Sequence, residues 1–126
     1  KYLVNHKDSR GVIKDLIQKK NINAITYLTI KKGKIRGNHL HKKTIQWNFI
    51  LSGKVQIITK KKFSPVQKKV FAKYDLIVTV PNEMHAFKAI SDSEMLVFTQ
   101  GPRGGKEYEN DTFRAVHSPS FLAYFH

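Results

Sequence analysis

Short runs of alternating apolar and polar residues, each ended by a turn signal, repeat along most of this chain. Asn23–Ile30 is rich in β-branched and aromatic residues and stops at Lys31-Lys32-Gly33, which predicts a strand. Ile45–Leu51 predicts another, and Ser52-Gly53 predicts a tight turn into Lys54–Lys60, so these two read as a hairpin. Val66–Ala72, Leu76–Val80, His85–Ile90 and Glu94–Thr99 predict four more strands at short, regular spacing. That rhythm points to a sandwich or small barrel and away from a βαβ fold. Gly11–Lys20 fits a strand or a short helix equally well. Gly101–Asp111 is polar and glycine-rich and predicts a loop. Its Gly105-Lys106 pair lacks the earlier glycine and the following Ser/Thr of a phosphate-binding P-loop. Ser118-Pro119 is a helix-start signal, and the apolar residues after it are expected to dock on the barrel or on a partner subunit. No internal repeat or second domain is visible.

Composition narrows the picture. The chain has 126 residues, 40% of them hydrophobic, enough for one compact domain with a real core. No apolar run is long enough to span a bilayer, so no membrane insertion is expected. The first residue is Lys1, which leaves room for a targeting segment before it. Cysteine is absent, which excludes disulfides and thiolate metal sites and is compatible with a cytoplasmic location.

The formal net charge is +14, and of the 23 basic residues only Arg10, Arg36, Arg103 and Arg114 are arginine. Lysine doublets and one triplet, Lys60-Lys61-Lys62, are spread along the chain. Such a charge can serve nucleic acid or an anionic membrane, or simply keep the outer strand faces soluble. The clusters have no interleaved aromatics and no nucleic-acid motif, which disfavours nucleic acid. The field suits an anionic small molecule better.

The chemistry gathers in Gly33–Gly53. His39 and His41 share parity on a strand, so both rings point to one side. A His-x-His pair alone arises often by chance. With glycines at both ends, Arg36 three residues earlier and His85 as a third imidazole, it reads as a buried cluster able to hold a metal or move a proton. The segment resembles the first motif of the cupin superfamily: Gly, five residues, His-x-His, three or four residues, Glu, six residues, Gly. Every spacing holds, and Gln46 stands where the family usually has Glu. The second cupin motif, Gly, five residues, Pro-x-Gly, two residues, His, three residues, Asn, keeps only His85. Asn82 at its second glycine tolerates a left-handed backbone, and Pro81 supplies a rigid turn beside it.

The resemblance implies an all-β, single-domain cupin jelly-roll barrel (a double-stranded β-helix), with residues 8–114 as its core and 115–126 as a tail. It also implies a homodimer. Arg36-Gly37-Asn38-His39-Leu40-His41-Lys42 looks like the Arg-Gly-x-His-x-His-Lys segment of sugar 3,4-ketoisomerases, relatives of the dTDP-4-dehydrorhamnose 3,5-epimerases. Gln46 is also seen in the ketoisomerases. Asp8-Ser9-Arg10-Gly11 and Asp111-Thr112 resemble segments of related sugar-modifying cupins.

By this resemblance the chain isomerises or epimerises a nucleotide-linked 4-keto sugar through an enediolate, in surface-polysaccharide or glycosylation pathways. His39 would be the base and His41 its acid/base partner. Arg36, Gln46, Tyr27, Asn48 and Phe87 would bind the substrate, with rings such as Tyr27, Phe87 or Trp47 stacking on it. No cofactor is required on that reading. A second reading uses His39, His41, Gln46 and His85 as ligands for zinc, iron, manganese, nickel or copper, and points to dioxygenase-like or unassigned chemistry. A third is a non-catalytic module that binds a sugar or another small anion. Trp47, Phe49 and Leu51 lie opposite Gln46, Asn48 and Ile50 across their strand, so the aromatic set is expected in packing and Asn48 at the site.

Overall fold

The computed structural model describes residues 3–102 and 105–114. In chain order its strands are β1 (Leu3–Asp8), β2 (Gly11–Asp15), β3 (Ala24–Ile30), β4 (Ile35–His41), β5 (Ile45–Ser52) and β6 (Lys54–Lys60). They continue as β7 (Gln67–Ala72), β8 (Leu76–Thr79), β9 (Met84–Ala89), β10 (Ser93–Gln100) and β11 (Thr112–Arg114), with a single helical segment, α1 (Gly105–Asp111), before the last. The tail beyond residue 114, expected to dock on the barrel or a partner, lies outside the described residues.

The strands form three antiparallel sheets: a β1-β2 hairpin, a four-stranded sheet ordered β3-β10-β5-β8, and a five-stranded sheet ordered β11-β4-β9-β6-β7. The larger two face each other across one core, which gives the expected all-β jelly roll. Ile30, Ile50, Ile77 and Met95 enter that core from the four-stranded sheet, and Val55, Ile57, Phe87 and Ala89 from the five-stranded one. Burying each large side chain there contributes roughly 1.5–3 kcal/mol.

The inward rows change character along the strands. On β3 they run Ile30, Leu28, Thr26; on β5, Ile50, Asn48, Gln46; on β10, Met95, Val97, Thr99; on β9, Ala89, Phe87, His85. One end of the interlayer space is aliphatic and closed, and the other is polar and holds a cavity. This gradient places the site.

Two local expectations are corrected. Ser52-Gly53 does not close a β5–β6 hairpin; β5 pairs with β10 and β8, and β6 with β9 and β7, so the turn carries the chain between sheets. Gly53 allows that corner. Its φ is +86°, and a Cβ there would lie 2.3 Å from Ser93 Oγ and 2.4 Å from the Asp92 carbonyl oxygen. The segment Gly101–Asp111 is not all loop either, because Gly105–Asp111 is helical. Tertiary anchoring outweighs its weak propensity, since Asp111 at the helix end clamps the β4–β5 turn. Its Oδ1 accepts the Lys42 and Lys43 amides at 3.1 and 2.8 Å, and Oδ2 accepts the Thr44 hydroxyl at 2.5 Å. Gly11–Lys20, open between strand and helix, is strand over Gly11–Asp15.

Candidate active site

The β4–β9 pairing sets His39 directly against His85, and His41 follows two residues along the same face. Ring centroids are 4.7 Å apart for His39–His41, 4.6 Å for His39–His85 and 5.8 Å for His41–His85. One ring nitrogen from each lies within 4.8 Å of the others. The close approach depends on Gly37, where a Cβ would come within 3.2 Å of the His85 carbonyl oxygen. Gly37 and Asn38 both have positive φ, at the irregularity where β4 shifts register before His39.

The three imidazoles have different surroundings. His39 is half-buried and lines a cavity of about 220 Å³ between the sheets. His41 is buried behind it, with Nδ1 3.8 Å from Asp111 Oδ2 and 3.3 Å from Thr112 Oγ1. His85 is buried too, and its Nδ1 is 3.1 Å from the Glu83 carbonyl oxygen. Burial first, then the neighbouring His39, push the His85 pKa down to about 3. His85 is therefore neutral at pH 7. Its one N–H donates to the Glu83 carbonyl, and Nε2 keeps its lone pair.

Around the histidines, the cavity is walled by Arg36, Gln46, Asn48 and Phe87, all expected at the site, and by Thr26, Leu28 and Val97, which were not. Arg36 is at the exposed rim, its Nε donating to the Thr29 carbonyl at 2.9 Å. Gln46 Nε2 donates to Thr99 Oγ1 at 3.4 Å, and Asn48 Nδ2 donates to the Ile77 carbonyl at 3.0 Å. The Phe87 ring lies 5.7 Å from that of His85. Asn82 has φ +66°, the left-handed backbone expected where cupins carry glycine.

Tyr27 is not brought to the cavity. It alternates with Thr26 and Leu28 on β3 and so faces outward, 56% exposed, where its hydroxyl donates to Glu94. Trp47 likewise faces away from the histidines, in a row with Phe98 and Val78. Strand parity gave the correct side for Trp47 and would have given it for Tyr27. Thr26 and Leu28 were legible by the same parity. The Asp111–His41 approach was not: 70 residues separate the two, and only the pairing of β11 with β4 joins them.

Solved structures share this architecture. The 3,4-ketoisomerase of Helicobacter canadensis is 20% identical with a TM-score of 0.72, over 94% of this chain and 90% of that one. A dTDP-6-deoxy-D-glucose-3,5-epimerase from Legionella pneumophila, in complex with dTDP-4-keto-L-rhamnose, is 14% identical with a TM-score of 0.70, over 92% of this chain and 71% of that one. The capsular polysaccharide assembling protein CapF of Staphylococcus aureus is 18% identical with a TM-score of 0.64 over 90% of this chain. This chain spans only about a third of CapF, 34% of its length. No curated protein matches the chain in sequence. These likenesses establish the cupin jelly-roll fold. The model of the polysaccharide biosynthesis C-terminal domain matches residues 6–113, and the chain belongs to that family.

Proposed function

We propose that this chain is an isomerase or epimerase of a nucleotide-linked 4-keto sugar, working by histidine acid/base chemistry without a cofactor. The observation that carries this is His39 on the wall of a small cavity, backed by His41 and the Asp111 carboxylate. Its volume of about 220 Å³ suits one sugar ring, being below the roughly 300–1,000 Å³ of pockets that enclose larger ligands. The nucleotide would then lie at the mouth, where Arg36 can meet a diphosphate. Gln46, Asn48 and Phe87 would hold the ring.

In this reading His39 takes the proton from the carbon beside the keto group, and the electron pair passes to the carbonyl oxygen to give an enediolate. Returning a proton to the same carbon from the other face epimerises it. Protonating the former carbonyl carbon instead, with loss of the neighbouring hydroxyl proton, moves the keto group by one position. His41 lies where it can share the proton of His39, and the nearby Asp111 carboxylate stabilises positive charge as it forms there. Neutral His85 neither supplies nor accepts that proton near pH 7. The test is deuterium uptake into a dTDP-linked 4-keto-6-deoxy sugar in heavy water. His39→Ala should slow exchange by about 10²–10⁴-fold. Exchange at the unaltered rate in that variant would overturn the reading.

One observation favours a second reading. The His85 Nδ1–H donates to a backbone carbonyl, the arrangement that typically orients imidazole Nε2 toward a metal, and the other two histidines are within reach. A divalent ion held by His39, His41 and His85, with Gln46 facing the same cavity, would supply Lewis-acid chemistry. Elemental analysis decides: near-stoichiometric metal that is lost in His85→Ala supports it. A third outcome, ligand retention with neither exchange nor turnover, would identify a binding module.

A cytoplasmic location and a homodimer belong to the leading reading. Among the described residues no helix is long and apolar enough to cross a membrane. The outer face of the four-stranded sheet carries two apolar rows, Ile25–Phe98–Trp47–Val78 and Tyr27–Leu96–Phe49–Leu76. Ile25 and Tyr27 are 65% and 56% exposed. We assign this face to a second copy of the chain.

A further inference from the structure

We infer that the outer face of the five-stranded sheet docks this protein peripherally on an anionic membrane surface. The charge is segregated in the sequence: Leu16 to Tyr74 holds 14 lysines and one arginine and no acidic residue. The fold collects part of that stretch into one patch. Residues directly opposite on paired strands share a face, so Phe113 lies beside Leu40 and Lys60 beside Met84 on the outward side, while Ile58 next to them is buried under Val66 and Met84. Leu40 and Met84 form an apolar floor, ringed by Lys42, Lys60, Lys61 and Lys62.

At the rim stands Phe63, 94% exposed, in the β6–β7 loop. Its φ is +64°, a left-handed backbone that is costly for a bulky side chain. The loop is held in that shape by Lys60, whose Nζ donates to the Ser64 carbonyl at 2.7 Å and lies 3.4 Å from the Lys61 carbonyl. Lys62 Nζ lies 5.1 Å from the centroid of the exposed ring, and Lys42 Nζ sits 4.6 Å from that of Phe113, itself 40% exposed. Val70, 51% exposed, belongs to the same outward side through its pairing with Gln56.

A protruding ring amid lysines has the chemistry of an interfacial anchor: the ring enters the headgroup boundary and the ammonium groups meet lipid phosphates. Lysine, a compact point charge, suits diffuse attraction to headgroups, whereas bidentate recognition of one phosphate would call for arginine. None of these residues lines the histidine cavity, so docking leaves that site intact.

The test is flotation of the full chain with vesicles of phosphatidylcholine alone, or with phosphatidylglycerol as about a third of the lipid. The protein should float only with the anionic vesicles and detach in about 0.5 M NaCl. Lys61→Gln with Lys62→Gln should weaken partitioning about 25-fold, at roughly fivefold per lysine. Phe63→Ala should weaken it severalfold, while Lys31→Gln with Lys32→Gln, an equal loss of charge in the β3–β4 turn, should change it less than about threefold. Equal losses in the two double variants, or no preference for anionic vesicles, would overturn the proposal. So would binding to a duplex oligonucleotide with the vesicles left unbound, which would assign the charge to nucleic acid.

Discussion

His85 and Asp111 are the residues whose surroundings most constrain the chemistry, and each makes a measurable demand. With its pKa held down to about 3, His85 stays neutral in the folded chain, while in the unfolded chain it titrates near 6.5. Between those values the unfolded state binds the extra proton, so this contribution to stability is intact above pH 6.5 and is lost as pH falls toward 3. The loss should reach about 2 kcal/mol at pH 5. Replacing His85 with Asn should flatten that part of a urea-denaturation profile against pH; an unchanged slope would mean the shift is not there. Asp111→Ala removes the acceptor of three hydrogen bonds and should cost at least about 2 kcal/mol in thermal unfolding. Tyr27→Phe is the opposite case. Because Tyr27 faces outward to Glu94, deuterium exchange into the keto sugar should proceed at the unaltered rate. A tenfold loss would contradict the outward placement.

At the scale of elements, the period-two pattern was enough to find β3 and β5 to β10 within a residue or two at either end, because half-buried strands must alternate. It also aligned His39 with His41, and Gln46 with Asn48, on the correct sides. Pairing partners were not legible. Ser52-Gly53 has the composition of a hairpin turn, yet serves as a corner between sheets, because a turn's residues report local backbone shape and not which strand will be met next. Helix α1 was not legible for a related reason: seven largely polar residues are marginal alone and are held by the Asp111 clamp. The corner is the better test of this view. Gly53→Ala forces a Cβ into the Asp92 backbone and the Ser93 side chain at a positive φ, so it should destabilise the chain by about 2 kcal/mol or more in denaturant unfolding. A neutral result would show that the corner can move.

For the whole molecule, the two sheets divide the labour by face. Their inner faces make the core and the histidine cavity; the outer face of the four-stranded sheet carries two apolar rows, and that of the five-stranded sheet is lysine-rich. If a second copy covers the apolar face, Phe98→Glu should shift sedimentation velocity from dimer to monomer without unfolding the barrel. A wild-type chain that already sediments as a monomer would refute the assignment. The sequence by itself determined the all-β class, the strand faces and the candidate histidines, because alternation, turn residues and motif spacing are local properties that a strand cannot evade. Only the tertiary structure decided that β4 meets β9, that Asp111 backs His41 and that His85 is neutral. Those depend on which distant segments pair and on how far each group is withdrawn from water, and neither is encoded in any short stretch of residues.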